Sequence, residues 1–216
     1  MIVSIAARSL RVVFFGIIVF STLPLAQAIE VLDQQWTDIP RANSSTGFDA
    51  AWGLAGQTFT VGVSGILSRV EIYVSGQGDY LMDHGDLQVS IWSTISGLPD
   101  TSLATVTLPE SNFPMKQELW ANADFSAAGL QVSQGQQFGV VLASTGAKNY
   151  SFYGTLDAPF YGGGTAVEYY GGVWGHSLLD SHYSHLFKEY VLVPEPGSCA
   201  LFALGLLCVV RPRRRR

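Results

Sequence analysis

Cysteine is almost missing from this 216-residue chain, and the two it has, Cys199 and Cys208, share one apolar run near the C-terminus. Residues 29–193 therefore hold no disulfide, no thiolate nucleophile and no cysteine metal ligand, so their stability must come from core packing. Basic residues are as scarce. Seven of the twelve lie outside this stretch, leaving Arg41, Arg69, Lys116, Lys148 and Lys188 against sixteen acids, a formal charge of −11. Such a surface repels phosphate backbones, which excludes nucleic acid as a partner. It is compatible with a neutral polysaccharide or with divalent cations. Helix signals are also nearly absent, as is any Gly-x-Ser-x-Gly elbow.

What fills residues 29–193 is short segments of period two, separated by Gly, Pro, Asn, Asp and Ser. The alternation predicts strands over 57–61, 65–74, 86–92, 103–108, 119–125, 137–144, 150–153, 165–170 and 186–193. In 65–74, Ile66, Val70, Ile72 and Val74 share a parity opposed to Arg69, Glu71 and Tyr73. Leu87, Val89 and Ile91 point inward in the next strand, and Phe138, Val140 and Leu142 do so in 137–144. Residues 96–100 read as a turn. About nine strands without a helical crossover predict an all-β fold, an antiparallel two-sheet β-sandwich of jelly-roll-like form.

The two ends differ from this middle. Arg8 and Arg11 precede the apolar run 12–20, and Ala26 and Ala28 form a small-x-small site. That is a signal peptide over 1–28, with a signal helix and signal peptidase cutting after Ala28. At the other end Pro194, Glu195 and Pro196 are followed by the apolar run 199–210 and by Arg211, Arg213, Arg214, Arg215 and Arg216. A short hydrophobic helix ending in arginines stops translocation, with the positive cluster kept on the cytoplasmic side. Residues 194–216 resemble the PEP-CTERM sorting tail of exported bacterial proteins. The resemblance implies an exosortase-type membrane enzyme as partner, cutting near Pro194, Glu195 and Pro196. It also implies an inner-membrane intermediate held by the C-terminal helix, then the cell surface or extracellular matrix. The run is shorter than the ~20 apolar residues of a spanning helix, so a permanent anchor is the alternative. Stretches such as 57–61, 67–72, 89–99, 132–138 and 187–191 resemble the choice-of-anchor β-sandwich ectodomains of surface-anchored proteins, a family that implies architecture and no activity.

Candidate sites are few. Trp92, Trp120, Tyr153, Tyr161 and Trp174 are the candidates for a sugar-stacking platform, with Trp52 and the tyrosine- and glycine-rich run 152–174 as further candidates. His176, His182 and His185 with Asp180 match no zinc spacing and read as a polar loop, and Asp83, His84 and Asp86 lack calcium-loop spacing. The acid pairs Glu71 with Glu168 and Asp124 with Asp157 carry no hydrolase motif. The expectation is a non-enzyme, without catalytic residues, cofactor or metal. Its role is structural or adhesive in a polysaccharide-rich envelope or biofilm, or else that of a carbohydrate-binding module.

Overall fold

The computed structural model describes residues 28–50, 53–76, 85–146, 150–156, 159–177 and 183–195. The signal segment before Ala28, Pro196 and the hydrophobic and arginine parts of the tail lie outside the described residues. Among the described residues no helix is long and apolar enough to cross a membrane. Fourteen strands make up the fold among the described residues. They are Ala28–Trp36 (β1), Ser44–Phe48 (β2), Leu54–Thr60 (β3), Gly65–Gly76 (β4), Leu87–Ile95 (β5), Leu98–Leu108 (β6) and Leu119–Asp124 (β7). Gln131–Val132 (β8), Gln137–Ser144 (β9), Tyr150–Thr155 (β10), Ala166–Tyr170 (β11), Val173–His176 (β12), Ser184–His185 (β13) and Phe187–Pro194 (β14) complete them.

Two antiparallel sheets result, as the alternation predicts. The eight-stranded sheet runs β1-β14-β4-β10-β13, with β2 on β10 and with β7 and β8 on β4. The six-stranded sheet runs β12-β11-β3-β9-β5-β6. Strands β1, β2, β8, β12 and β13 are absent from the sequence-based expectation; β8 and β13 are two residues long and β12 four, too short to show a period. β1 is an edge strand rich in polar residues and broken by a bulge between Leu32 and Gln34, and β2 is Ser-rich, so neither carries a clean period. Strand β6 begins at Leu98 and not at Leu103. Ser96 and Gly97 both adopt positive φ, 53° and 81°, closing a two-residue hairpin of primed type, and Pro99 is tolerated because β6 is an edge.

The core lies between the sheets. Val70, Ile72 and Val74 of β4 meet Phe59, Leu87, Val89, Ile91, Phe138, Val140, Leu142 and Phe187, all nearly inaccessible. Phe59 centres an aromatic run, 6.2 Å from Phe138 and 5.9 Å from Phe187. One parity is corrected. A bulge where β14 passes from Tyr190 to Val191 shifts the register against β4, so Leu67 and not Ile66 enters the core.

The register also fixes two poles. β3 passes into β4 through residues 61–64, so the Thr60 and Gly65 ends are neighbours. Leu192 faces Ile66 there, and Val193 and Pro194 run on to face Ile29 and Ala28. The β5–β6 hairpin tip joins this terminal pole, since Ser93 faces Phe138 while Gln137 faces Thr60. Leu54, Ser144 and the β11–β12 hairpin lie at the far pole.

Two buried ionisable groups oppose each other in pH. His185 is in strand β13 and fully buried, not in a solvated loop. It stacks on Phe152 at 3.9 Å with its faces parallel, and its ring nitrogens are left without a well-formed hydrogen bond among the described residues. Burial pushes its pKa down to about 3. Glu189 takes the inward parity of β14 between Phe187 and Val191, opposite Gln34 at the β1 bulge, and is inaccessible. Burial, with Asp33 beside it, pushes its pKa up to about 9.

For Glu189 the raised value means that stability is fully present below its ordinary 4.5 and is lost as pH rises towards 9. The loss approaches ~1.4 kcal/mol per pH unit inside that window. For His185 the lowered value means stability is lost as pH falls from 6.5 through about 3. Glu189→Gln is expected to raise the denaturation midpoint at pH 8 and leave it nearly unchanged at pH 4, in urea titrations at both pH values. Phe59→Ala, which empties the centre of the aromatic run, is expected to cost about 3–5 kcal/mol in the same assay.

Candidate functional site

The rings singled out from the sequence do not share one surface. Tyr161 is 9% exposed and packs edge-on against Phe187 at 5.0 Å, its hydroxyl donating to Gln34 Oε1 at 2.8 Å. Burial raises its pKa well above the usual tyrosine range. A ring tied into the interior in this way cannot serve as a platform. Its hydroxyl explains the position: a buried phenol needs an acceptor, and the β1 bulge supplies one.

Trp120 and Tyr153 lie on the outer face of the eight-stranded sheet, bridged by Tyr73, whose ring stands 5.2 Å from Trp120 and 5.7 Å from Tyr153. This group continues as a chain of contacts across β7, β4, β14 and β1. Lys188 Nζ sits 4.2 Å over the Trp120 ring and 2.7 Å from Glu71 Oε2. Glu71 pairs also with Arg69, which reaches Glu30 at 3.0 Å and covers the Tyr190 ring at 3.5 Å. Partial burial pushes the Glu71 carboxyl up, but Lys188 and Arg69 outweigh it and hold it below its ordinary value. Tyr73 shifts upward through burial and its bond to Glu118. Here Lys188 already covers one face of Trp120, and the acid and base groups neutralise one another. The arrangement stitches strands together.

Trp92 and Trp174 belong to the other sheet. Their rings meet edge to face at 5.8 Å, and Trp174 lies 5.2 Å from Tyr169. β12 and β5 are separated by three strands in the sheet order, so this contact requires the six-stranded sheet to curl over its outer face, and β12 touches β6 there. Gly139 lies at the base of the curl, where a Cβ would stand 3.3 Å from Pro99. Val141 and Val167, on the outward parity, are buried beneath. The Trp92 Nε1 donor is buried and finds no acceptor among the described residues.

This aromatic row leads to an open cleft of about 640 Å3 at the far pole. Asp49, Gly53, Leu54, Ser144, Tyr169 and Tyr170 line it, with Gly171 and Gly172 at the hairpin tip. Asp49 is 5% exposed in the wall and Tyr170 61% exposed at the rim. Gly53 has φ +124° and a Cβ there would fall 2.0 Å from the Tyr169 carbonyl, so only glycine lets the β3 start close against β11. Asp49, Gly53, Leu54 and Ser144 escaped the sequence reading, whereas Tyr169, Tyr170, Gly171 and Gly172 belong to the tyrosine- and glycine-rich run 152–174 that suggests sugar stacking. The hairpin had a signal of its own: Gly171-Gly172 between Tyr169-Tyr170 and Val173-Trp174 is a two-residue hairpin pattern, and both glycines take positive φ, 62° and 90°.

The remaining candidates scatter. His176 is exposed at the end of β12 and His185 is buried in the interior, while His182, Asp180, Asp83, His84, Trp52 and Asp157 lie outside the described residues. Among the described residues no three His, Cys, Asp or Glu converge as a metal-ligand set. Glu71 lies on the outer face of one sheet. Glu168 lies on the other, where it accepts from Ser177 at 2.6 Å and from Thr46 of β2 at 3.3 Å, so it ties the two sheets together. Ala28 opens β1 and Pro194 closes β14, and the two are cross-strand partners. Glu195 follows, half-buried.

Comparison with known proteins agrees with the tail. A family model for the PEP-CTERM protein-sorting motif matches residues 192–215. No curated protein matches the chain. The solved structure of infectious bursal disease virus, Gt strain, is similar over 87% of this chain and 50% of that chain, at 12% identity and TM-score 0.23. The chain thus spans half the length of that structure's chain, and a likeness so weak carries no argument about function. Residues 192–215 of this chain, whose described residues are all-β, match the PEP-CTERM protein-sorting motif, the mark of an exported protein that an exosortase-type system handles, through a membrane intermediate, on its way to the cell envelope or surface.

Proposed function

We propose that the sandwich is a non-catalytic structural or adhesive module of a polysaccharide-rich envelope or biofilm, delivered by its tail. The observation that carries this reading is the place of the motif. It begins at Leu192, inside β14, so the sorting signal grows out of the closing strand without a linker. The cleft lies at the opposite pole. A module held by one pole and open at the other suits attachment to surrounding matrix. Mass spectrometry of the mature protein tests the delivery step. A C-terminus near Pro196 with the leader gone after Ala28 is expected, whereas Arg216 still present in the membrane fraction would favour a permanent anchor.

The row Trp92, Trp174 and Tyr169 favours a second, compatible reading, a carbohydrate-binding module with its site in the far-pole cleft. Sugar rings stack on aromatic faces, and Asp49 and Ser144 offer polar partners beside them. Glycan-array binding of the mature protein is expected to weaken about tenfold, or ~1.4 kcal/mol, on Tyr169→Ala. Trp120→Ala, on the other sheet, is expected to leave it unchanged. Equal losses for both variants would sink the cleft as the site and leave the structural reading standing.

A further inference from the structure

The chain's two membrane-directed ends leave the sandwich side by side. Ala28 is the last residue of the signal segment and Pro194 the first of the sorting triplet, and they face each other across the β1–β14 ladder. From Pro194 the apolar run begins five residues on, at Cys199, and five residues span at most about 18 Å. The polar headgroup layer of one leaflet takes up roughly 5–8 Å of that. While the tail is inserted, the terminal pole is therefore held within about 10–13 Å of the lipid surface.

The residues at that pole suit such a place. Ile29 is 50% exposed, Val63 at the β3–β4 turn 39%, and Ile95 at the β5–β6 hairpin 63%. Each stands at a tip, where a sheet edge or turn offers no further strand to cover it. Arg69, in β4 close to this pole, is already engaged with Glu30 and Glu71, so among the described residues the pole presents apolar tips without a free cation. Tyr170 and Val173, also exposed, stand at the far pole. β4 alone runs twelve residues between the poles, about 40 Å of strand at ~3.3 Å per residue.

We propose that the terminal pole, through Ile29, Val63 and Ile95, is a docking surface for the zwitterionic headgroup layer of the membrane in the sorting intermediate. The far-pole cleft then faces away from the bilayer. The proposal rests on the insertion of the tail and goes beyond it, because a tail can insert while the domain swings free. Contact at three tips restricts that swing. It holds Val193 and Pro194 at the depth where a membrane-embedded enzyme works.

The test uses the full chain with Cys199→Ala and Cys208→Ala, which leaves no native thiol. A single cysteine is then introduced as Val63→Cys, Ile95→Cys or Val173→Cys and labelled with a fluorophore. Each protein is reconstituted into phosphatidylcholine vesicles carrying a headgroup-level nitroxide lipid, and an unchanged urea midpoint confirms that each variant is folded. Quenching several-fold stronger at positions 63 and 95 than at 173 is expected, with no gain on adding anionic lipid. Flotation with the vesicles but equal or negligible quenching at all three positions overturns the docking surface and leaves tail insertion intact. Failure to float overturns insertion and the docking surface together.

Discussion

Strand β14 is the member on which the rest depends. It lies between β1 and β4, and so brings the last residues of the domain into contact with the first. A domain without disulfides has no covalent closure, and its ends fray unless they are paired. Here each end secures the other. The ladder also decides where the sorting motif emerges, because the motif starts while the chain is still in the sheet. From that one placement follow the shared pole of the two termini and the opposite position of the cleft.

The same strand carries the least comfortable side chain of the fold. Glu189 occupies an inward position that a Val or Leu would fill at lower cost, and burial keeps it protonated well above the usual carboxylate range. His185, two residues before Phe187, is forced neutral by the same physics. Both lie near the seam where β13 gives way to β14 and where β1 bulges. These groups oppose one another in pH, and their two losses cancel between the ordinary values of 4.5 and 6.5, where the fold is best served. Polar ties cross the same interior, from Gln57 Oε1 to the His185 backbone N–H at 2.8 Å and from Tyr161 to Gln34. Together they align the two sheets in a core that is otherwise apolar.

The two sheets use their outer faces differently. On the eight-stranded sheet, aromatic and charged groups alternate and satisfy each other from Tyr190 to Tyr153. On the six-stranded sheet, aromatic rings gather by curling, and leave a buried indole donor without an acceptor among the described residues and a cleft at the hairpin end. Rings that look alike in the sequence thus have three fates: Tyr161 in the interior, Trp120 and Tyr153 in the outer network, and Trp92 and Trp174 in the curled row that ends at Tyr169 in the cleft. The fates differ because parity tells only which side of a strand a residue takes. Whether that side is open depends on what the sheet folds against.

Local chemistry alone determined a good deal. The period of two in β4, β5, β7 and β9 placed Val70, Ile72, Leu87, Val89, Phe138 and Val140 inward, because a half-buried strand must alternate. The apolar run 199–210 and its arginines marked a stop-transfer segment, because translocation reads hydrophobicity and charge in order along the chain, and its reading as a sorting tail came from the resemblance that Pro194, Glu195 and Pro196 carry. Strands β1 and β2 were not legible, since an edge strand with a bulge and a Ser-rich strand need no period of their own. The burial of His185, the entry of Leu67 in place of Ile66 and the meeting of Tyr169 with Trp174 and Trp92 depend on bulges, register and curl. Those are properties of strands packed together, set by contacts between residues far apart in the chain, and only the tertiary structure decides them.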